Sequence, residues 1–217
     1  SWGPAPNPAG PVELIRAAGH RSEPGRNGGA GTRERASHPK AASAQDGAWD
    51  WRVSIADVSK AGDFSAFPGM ERVLTVIDGE LLLLTVDGDE HPLEKYRPFR
   101  FSGEAAAHGA LPTGDIRDLN VITRTGSFKG FTSIIELSKK RAHPVFEGQL
   151  GVLLQGQATA SAGNLSVSAE AAVAAEADGD EAAPAPMEPE ALNRYDAVVG
   201  SDTVTPEILG RGFLAVV

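Results

Sequence analysis

Two Asp-Gly dipeptides, Asp78-Gly79 and Asp87-Gly88, separate three apolar runs: Val73–Ile77, Glu80–Val86 and Asp89–Leu93. A type I′ turn needs positive φ at both central residues, which Asp and Gly tolerate, and its twist matches that of two paired strands. The pattern predicts a three-stranded antiparallel meander. Leu81–Leu84 is apolar without a break, as in a strand buried on both faces. Further short runs occur at Val12–Arg16, Thr32–Ala36, Asp50–Val58, Pro98–Ser102, Ala107–Leu111 and Ile116–Thr123. Gly130–Leu137, Leu150–Ala158, Tyr195–Gly200 and Gly212–Val217 continue the series. Strands at about ten-residue spacing with turn residues between them predict an all-β barrel or sandwich with little helix.

The length of 217 residues fits one large domain or two small ones, and a hydrophobic content of 41% is enough for a real core. The formal charge of −9 is uneven. Seven acids and no base fall within residues 170–190, inside an Ala-, Glu- and Pro-rich stretch that reads as a mobile acidic loop over 169–190. The rest is near neutral and carries no basic face, which argues against nucleic acid as the partner. Cysteine is absent, which excludes disulfides, thiolate metal sites and cysteine nucleophiles. No apolar run approaches a membrane span, so no membrane partner is expected. The chain opens on Ser1-Trp2 rather than Met, so the true start is expected to differ. Residues 1–11, rich in Pro and Gly, read as a flexible lead-in to a single compact unit over 12–217.

Trp49–Arg72 is the densest stretch for function, with two tryptophans, two phenylalanines, a Phe-Pro-Gly turn and two arginines. Alternation puts Trp51, Val53 and Ile55 on one strand face, and Arg52, Ser54 and Ala56 on the other. Arg52 and Ser54 either line a barrel as an anion site or face solvent. Arg72 follows Phe67-Pro68-Gly69, a turn that fixes the backbone before it. It suits a ligand-gripping residue or a structural salt bridge. Phe64 and Phe67 read first as core. A guanidinium binds a carboxylate through two parallel hydrogen bonds, so these arginines point to an acidic ligand. In Ile116–Thr123, Asp118 and Asn120 share a face and offer a donor–acceptor pair for an amide or a backbone cap. Thr32 and Glu34 share a face, with Arg33 opposite.

Metal and nucleophilic chemistry find little support. His20, His38, His91, His108 and His143 show no His-x-His or His-Glu-x-x-His spacing. There is no Gly-x-Ser-x-Gly elbow, and Asn27–Gly31 lacks the Gly-Lys-Ser/Thr ending of a phosphate loop. No metal and no cofactor are expected.

Three blocks in order carry a family resemblance. They are Asn27-Gly28-Gly29 with Thr32-Arg33-Glu34; Trp51 to Ala56 with Gly62, Phe64-Ser65, Phe67-Pro68-Gly69 and Arg72; and Gly114 with Arg117-Asp118-Leu119-Asn120. Together they resemble the HutD/Ves family across roughly residues 12–126. The chain departs from the family's pattern at Gly25, where a ring is usual, and at Arg26, which keeps the charge of the usual Lys.

The resemblance implies a bicupin, two RmlC-like jelly-roll barrels packed in one chain, in a cytoplasmic bacterial protein linked to histidine utilisation. It implies a protein that senses or sequesters an acidic intermediate, formylglutamate or urocanate. The candidate ligand-binding residues are Asn27, Thr32, Arg33, Arg52, Ser54, Ser65, Arg72, Asp118 and Asn120, with no catalytic residue assigned. The expected partner is a small acidic metabolite, and a homodimer is admitted. A cupin enzyme, either a metal-dependent oxygenase or an RmlC-type isomerase acting on a small acid or sugar derivative, is the alternative. The isomerase needs a His–Asp pair inside the barrel.

Overall fold

The structure is a computed structural model, which describes residues 12–17, 23–24, 31–38, 49–163 and 188–217. The described residues contain no α-helix. Residues 1–11 and all but the last few of the acidic stretch 169–190 lie outside them. Contacts divide the chain into two compact units, Ser1–Ala17 with Ile135–Val216, and Ala18–Ile134 with Val217. Each unit has its own apolar cluster.

The chain begins in the first unit with β1 (Leu14–Ile15) and then builds the second. There it forms β2 (Glu23–Pro24), β3 (Gly31–His38), β4 (Trp51–Val58), β5 (Gly62–Asp63) and β6 (Met70–Asp78). β7 (Leu81–Val86), β8 (Asp89–Glu94), β9 (Phe99–Ser102), β10 (Ala107–Ala110) and β11 (Ile116–Arg124) follow. The chain then returns to the first unit through β12 (Ser133–Leu137), β13 (His143–Pro144), β14 (Leu150–Ala162), β15 (Glu190–Leu192), β16 (Ala197–Val199) and β17 (Pro206–Val216).

The first unit is one seven-stranded sheet in the order β1-β16-β14-β17-β12, with β13 on β17 and β15 on β14. Its core gathers Val145, Leu153, Val198, Ile208 and Leu214. The two-residue strand β1 cannot hold itself in place through its ladder alone. Buried Asp196 ties down the segment that follows it, accepting from Ala17 N–H at 2.7 Å, Asn193 N–H at 2.8 Å and Arg16 Nη1 at 2.9 Å. Burial pushes the Asp196 carboxyl upward, but these donors outweigh it and leave its pKa below the ordinary value.

The second unit has two sheets, a four-stranded one ordered β5-β10-β7-β8 and a six-stranded one ordered β2-β3-β4-β11-β6-β9. Leu74, Val76, Leu82, Leu84, Phe101 and Ile116 form its core. Each buried Leu or Val of this kind contributes about 1.5–3 kcal/mol.

The predicted meander is half right. β7 and β8 form the Asp87-Gly88 hairpin, with Val86 opposite Asp89, and Asp87 and Gly88 take φ of 49° and 91°. β6 and β7 do not pair, because they belong to different sheets. At Asp78-Gly79 only Gly79 has positive φ, 84°, so the segment is a corner between sheets and not a type I′ turn. The approach of Asp115 and Ile116 fixes this corner: a Cβ on Gly79 would lie 2.6 Å from Asp115 O and 2.8 Å from Ile116 Cγ2. β7 also departs from the expected burial on both faces, since Leu82 and Leu84 are buried while Leu81 and Leu83 are half-buried.

The corner can be tested against the hairpin. Gly88 has positive φ but open space around it, so Gly88→Ala is expected to cost only backbone strain, about 1–2 kcal/mol. Gly79→Ala adds a steric clash, on the order of a further 1–3 kcal/mol. Urea unfolding of both variants reads the difference, and equal losses would show that close approach does not hold the corner.

Candidate functional site

The candidate site lies on one face of the six-stranded sheet, and strand register places its residues. Arg52 of β4, Ile122 of β11 and Arg72 of β6 stand directly opposite one another in a row. Phe101 of β9 extends that row beyond Arg72. The next row on the same face holds Ser54, Asn120 and Leu74, and the one after it Ala56, Asp118 and Val76. Neighbouring strands lie about 4.8 Å apart, so the two arginine backbones are separated by roughly 10 Å. Alternation in the sequence puts Arg52 with Ser54 and Asp118 with Asn120, and the register brings the two pairs onto one face.

Arg72 is the centre of the cluster and is only 4% exposed. Its Nη2 donates to Asn120 Oδ1 at 2.9 Å, and its Nη1 donates to the Ser65 carbonyl at 3.1 Å. Its Nε is buried without a hydrogen-bond partner. Three rings surround the guanidinium, with centroids 5.0 Å (Phe101), 5.2 Å (Phe67) and 5.6 Å (Phe64) from Cζ. Phe64 and Phe67, read from the sequence as core, thus also pack on the cation. The aromatic faces stabilise the positive charge, and their bulk keeps water from it. Burial lowers the Arg72 pKa to about 10, with Asp118 opposing the shift, so the guanidinium is charged at neutral pH. The ion pairs among the described residues do not include Arg72, so the salt-bridge alternative for it is not what the structure holds.

Asn120 links Arg72 to Asp118, since its Nδ2 donates to Asp118 Oδ1. Asp118 is fully buried, and its Oδ2 has no hydrogen-bond partner. Burial drives its pKa up to about 7, against the downward pull of Arg72 and Asn120.

The Phe64–Gly69 segment covers Arg72. Gly69 takes φ of 74°, and Gly103 lets the segment lie close, because a Cβ there would meet Phe67 O at 2.4 Å. Phe67 N–H donates to Gly103 O at 2.7 Å and Gly103 N–H to Met70 O at 2.8 Å, which locks the turn to the start of β9's following loop. Ser65 therefore serves through its backbone carbonyl, while the residue itself is exposed.

The remaining candidates differ in burial and in row. Arg52 is half-buried, with Cζ 5.9 Å from the Trp49 ring, and Ser54 is buried beside Asn120 in the register. Backbone pairing puts Thr32 opposite Ala56, in the Asp118 row, and Arg33 opposite Ile55, in the Leu119 row on the other face. Asn27, with Gly25 and Arg26, lies outside the described residues. Phe101 was not singled out from the sequence; its signal is the Phe99-Arg100-Phe101 alternation beside a strand that carries a buried arginine.

A His–Asp pair does exist, with His108 Nδ1 2.8 Å from Asp63 Oδ1. The two side chains are 52% and 87% exposed, and His108 points away from its buried neighbours Ala107 and Gly109. This pair is not inside the barrel, where isomerase chemistry would need it. Among the described residues no three His, Cys, Asp or Glu side chains gather as a metal-binding group.

Comparison with known proteins places the arrangement. The HutD family model matches residues 17–208. Protein Ves of Escherichia fergusonii is 40% identical over 113 residues, covering 51% of this chain and 57% of Ves. An uncharacterized 21.2 kDa protein in the hutC 3' region of Pseudomonas putida is 39% identical over 112 residues, with the same 51% and 57% coverage. The chain spans only a little over half the length of these curated relatives. Among solved structures, HutD from Pseudomonas fluorescens SBW25 (formate condition) is 25% identical with a TM-score of 0.67, covering 94% of this chain and 96% of that one. A conserved protein of unknown function from Pseudomonas aeruginosa PAO1 is 24% identical with a TM-score of 0.72, covering 94% and 95%. Ylba from E. coli, 10% identical with a TM-score of 0.65 over 94% and 88%, shares the fold.

The buried carboxyl makes stability depend on pH. Folded Asp118 keeps its proton to about pH 7, whereas its ordinary pKa is 3.8. Between those values the native state binds more protons than the unfolded chain, so stability falls as pH rises from about 4 to about 7. Asp118→Asn is expected to flatten that fall, measured by urea unfolding across the interval. An unchanged slope in the variant would mean that Asp118 is not the group responsible.

Proposed function

This chain belongs to the HutD family of all-β bicupins, and on that premise we propose that it binds a small acidic metabolite of histidine catabolism at the Arg72–Asn120 face. In this reading the protein senses or sequesters the acid and so tunes histidine utilisation. The family tie supports the pathway, since one relative is encoded in the hutC 3' region of Pseudomonas putida.

The observation that carries the reading is the state of Arg72. It is a buried cation outside the ion pairs of the described residues, with an unpartnered Nε and a guanidinium fixed by Asn120 and the Ser65 carbonyl. Such a group is preorganised to take a carboxylate, because a guanidinium meets two oxygens with two parallel N–H donors. Arg52 stands in the same row two strands away. A roughly 10 Å separation of the two backbones suits an acid with two carboxylates on a glutamate-sized frame. Formylglutamate therefore fits better than urocanate, which has one carboxylate. Ligand entry in this reading passes the Phe64–Gly69 segment, the cover over Arg72, where Ser65, Ala66, Pro68 and Gly69 are exposed.

Calorimetry against formylglutamate, urocanate, formiminoglutamate and formate tests the reading. Formylglutamate is expected to bind most tightly. Arg72→Ala should weaken it by about 2–5 kcal/mol, and Arg72→Lys should recover only part of that, because lysine keeps the charge without the fork. Near-ultraviolet circular dichroism of each variant checks that the barrel persists. If none of the four acids binds at millimolar concentration, the reading fails.

A further inference from the structure

Beside the buried Arg72, the proposed acid site contains a carboxyl of its own, Asp118. Asp118 is fully buried on the same sheet face as Arg72 and Asn120, between Ala56 of β4 and Val76 of β6. Arg72 can only donate, so the oxygen of Asn120 faces the guanidinium and its amide nitrogen faces Asp118. Asp118 Oδ1 takes that amide hydrogen bond, and Oδ2 takes none. An ionised carboxylate with an empty oxygen in a dry site is poorly stabilised, and a neutral carboxyl is less so penalised.

The charged surroundings of Asp118 are few. Arg72 of β6 and Asp57 of β4 are the charged groups that act on it. Asp57 is paired with Arg117 of β11. The core around its Val76 neighbour, with Leu74, Leu82, Leu84 and Ile116, carries no charge. Two acids would thus compete for Arg72 once a ligand carboxylate arrives. With Asp118 ionised, two carboxylates would share the single buried guanidinium and leave an excess negative charge beside it, which a low-dielectric setting strongly disfavours. With Asp118 protonated, the ligand carboxylate seated at Arg72 and the guanidinium neutralise each other.

We propose that Asp118 is the proton-taking residue of this site, so that a ligand carboxylate binds at Arg72 together with one proton from solvent, which Asp118 holds. No bond other than the O–H of Asp118 forms or breaks. The carboxyl's pKa near 7 makes that proton available under neutral conditions. The inference rests on the acid-binding reading of Arg72 and adds its regulation. Acidification tightens the grip, alkalinity releases the ligand, and acid binding reports the proton level as well as the metabolite.

The test is calorimetric titration of the full chain with formylglutamate from about pH 6 to about pH 9, in paired buffers of different ionisation enthalpy. The carboxylates of the probe are ionised throughout that range. Proton uptake is expected to rise from near zero at the acidic end toward one proton per ligand. Affinity should fall about tenfold per pH unit above 7. In Asp118→Asn the proton uptake and the pH dependence of affinity should both vanish, whatever affinity the variant retains. Wild-type affinity that is flat with pH, with no proton uptake, overturns this inference and leaves the acid-binding reading intact. An Arg72→Ala chain that binds the probe as well as the wild type overturns the acid-binding reading and this inference with it. If Asp118→Asn fails to fold, the wild-type proton count alone decides.

Discussion

A buried guanidinium that no carboxylate of its own neutralises is the feature around which the second unit is arranged. Taking an arginine out of water costs several kcal/mol unless its donors and charge are met. Here Asn120 and the Ser65 carbonyl each meet one donor, and three phenylalanine rings meet the charge. That solution requires a central strand position for Arg72, a partner strand that brings Asn120 alongside, and an edge strand that brings Phe101. It also requires a turn tight enough to place Ser65 O over the guanidinium. Gly69 and Gly103 exist at that turn because one has positive φ and the other has no room for a Cβ. The apolar core of Leu74, Val76, Leu82 and Leu84 then supplies the rigidity that keeps these atoms in place.

The same economy explains why Asp118 is not simply a second half of an ion pair. Asn120 stands between the two charges, so Arg72 lowers the cost of an ionised Asp118 without cancelling it. Asp196 in the first unit shows the contrasting outcome for a buried carboxyl. Three donors reach it, and it remains an anion that ties down the segment after β1. Asp196 receives three hydrogen bonds, one of them from the exposed Arg16 cation, whereas Asp118 receives one from Asn120 and is deeper. One is built to stay charged, and the other is left with a choice of protonation state.

Much of this was legible in the residues. The β class, the positions of most strands and the pairing of Arg52 with Ser54 and of Asp118 with Asn120 on a strand face follow from turn residues and a period of two. The motif blocks then pointed to the family that residues 17–208 match. The sequence misplaced Asp78-Gly79, where the dipeptide favours a hairpin but the chain crosses between sheets. Local turn preference lost there to the close approach of Asp115 and Ile116. It also read Leu81–Leu84 as buried on both faces, because four leucines in a row carry no alternation to reveal a half-buried side. Phe101 escaped notice for a related reason. A phenylalanine in a strand looks like core until the strand beside it is known to carry a cation.

The sequence by itself determined which side chains can share a face, because alternation along a strand is a local property of the extended backbone. It determined the turn before Arg72 through Pro68 and Gly69, and it supplied Arg52 and Arg72 on either side of that turn. Only the tertiary structure decided that β4, β11, β6 and β9 lie side by side in that order. That order depends on strand pairing between residues dozens of positions apart, which no local pattern encodes. It turned Arg72, Asn120 and Asp118 from three separate polar residues into one hydrogen-bonded chain. It also set the charge state of that chain, because a carboxyl's pKa answers to its burial and to the cation across the sheet.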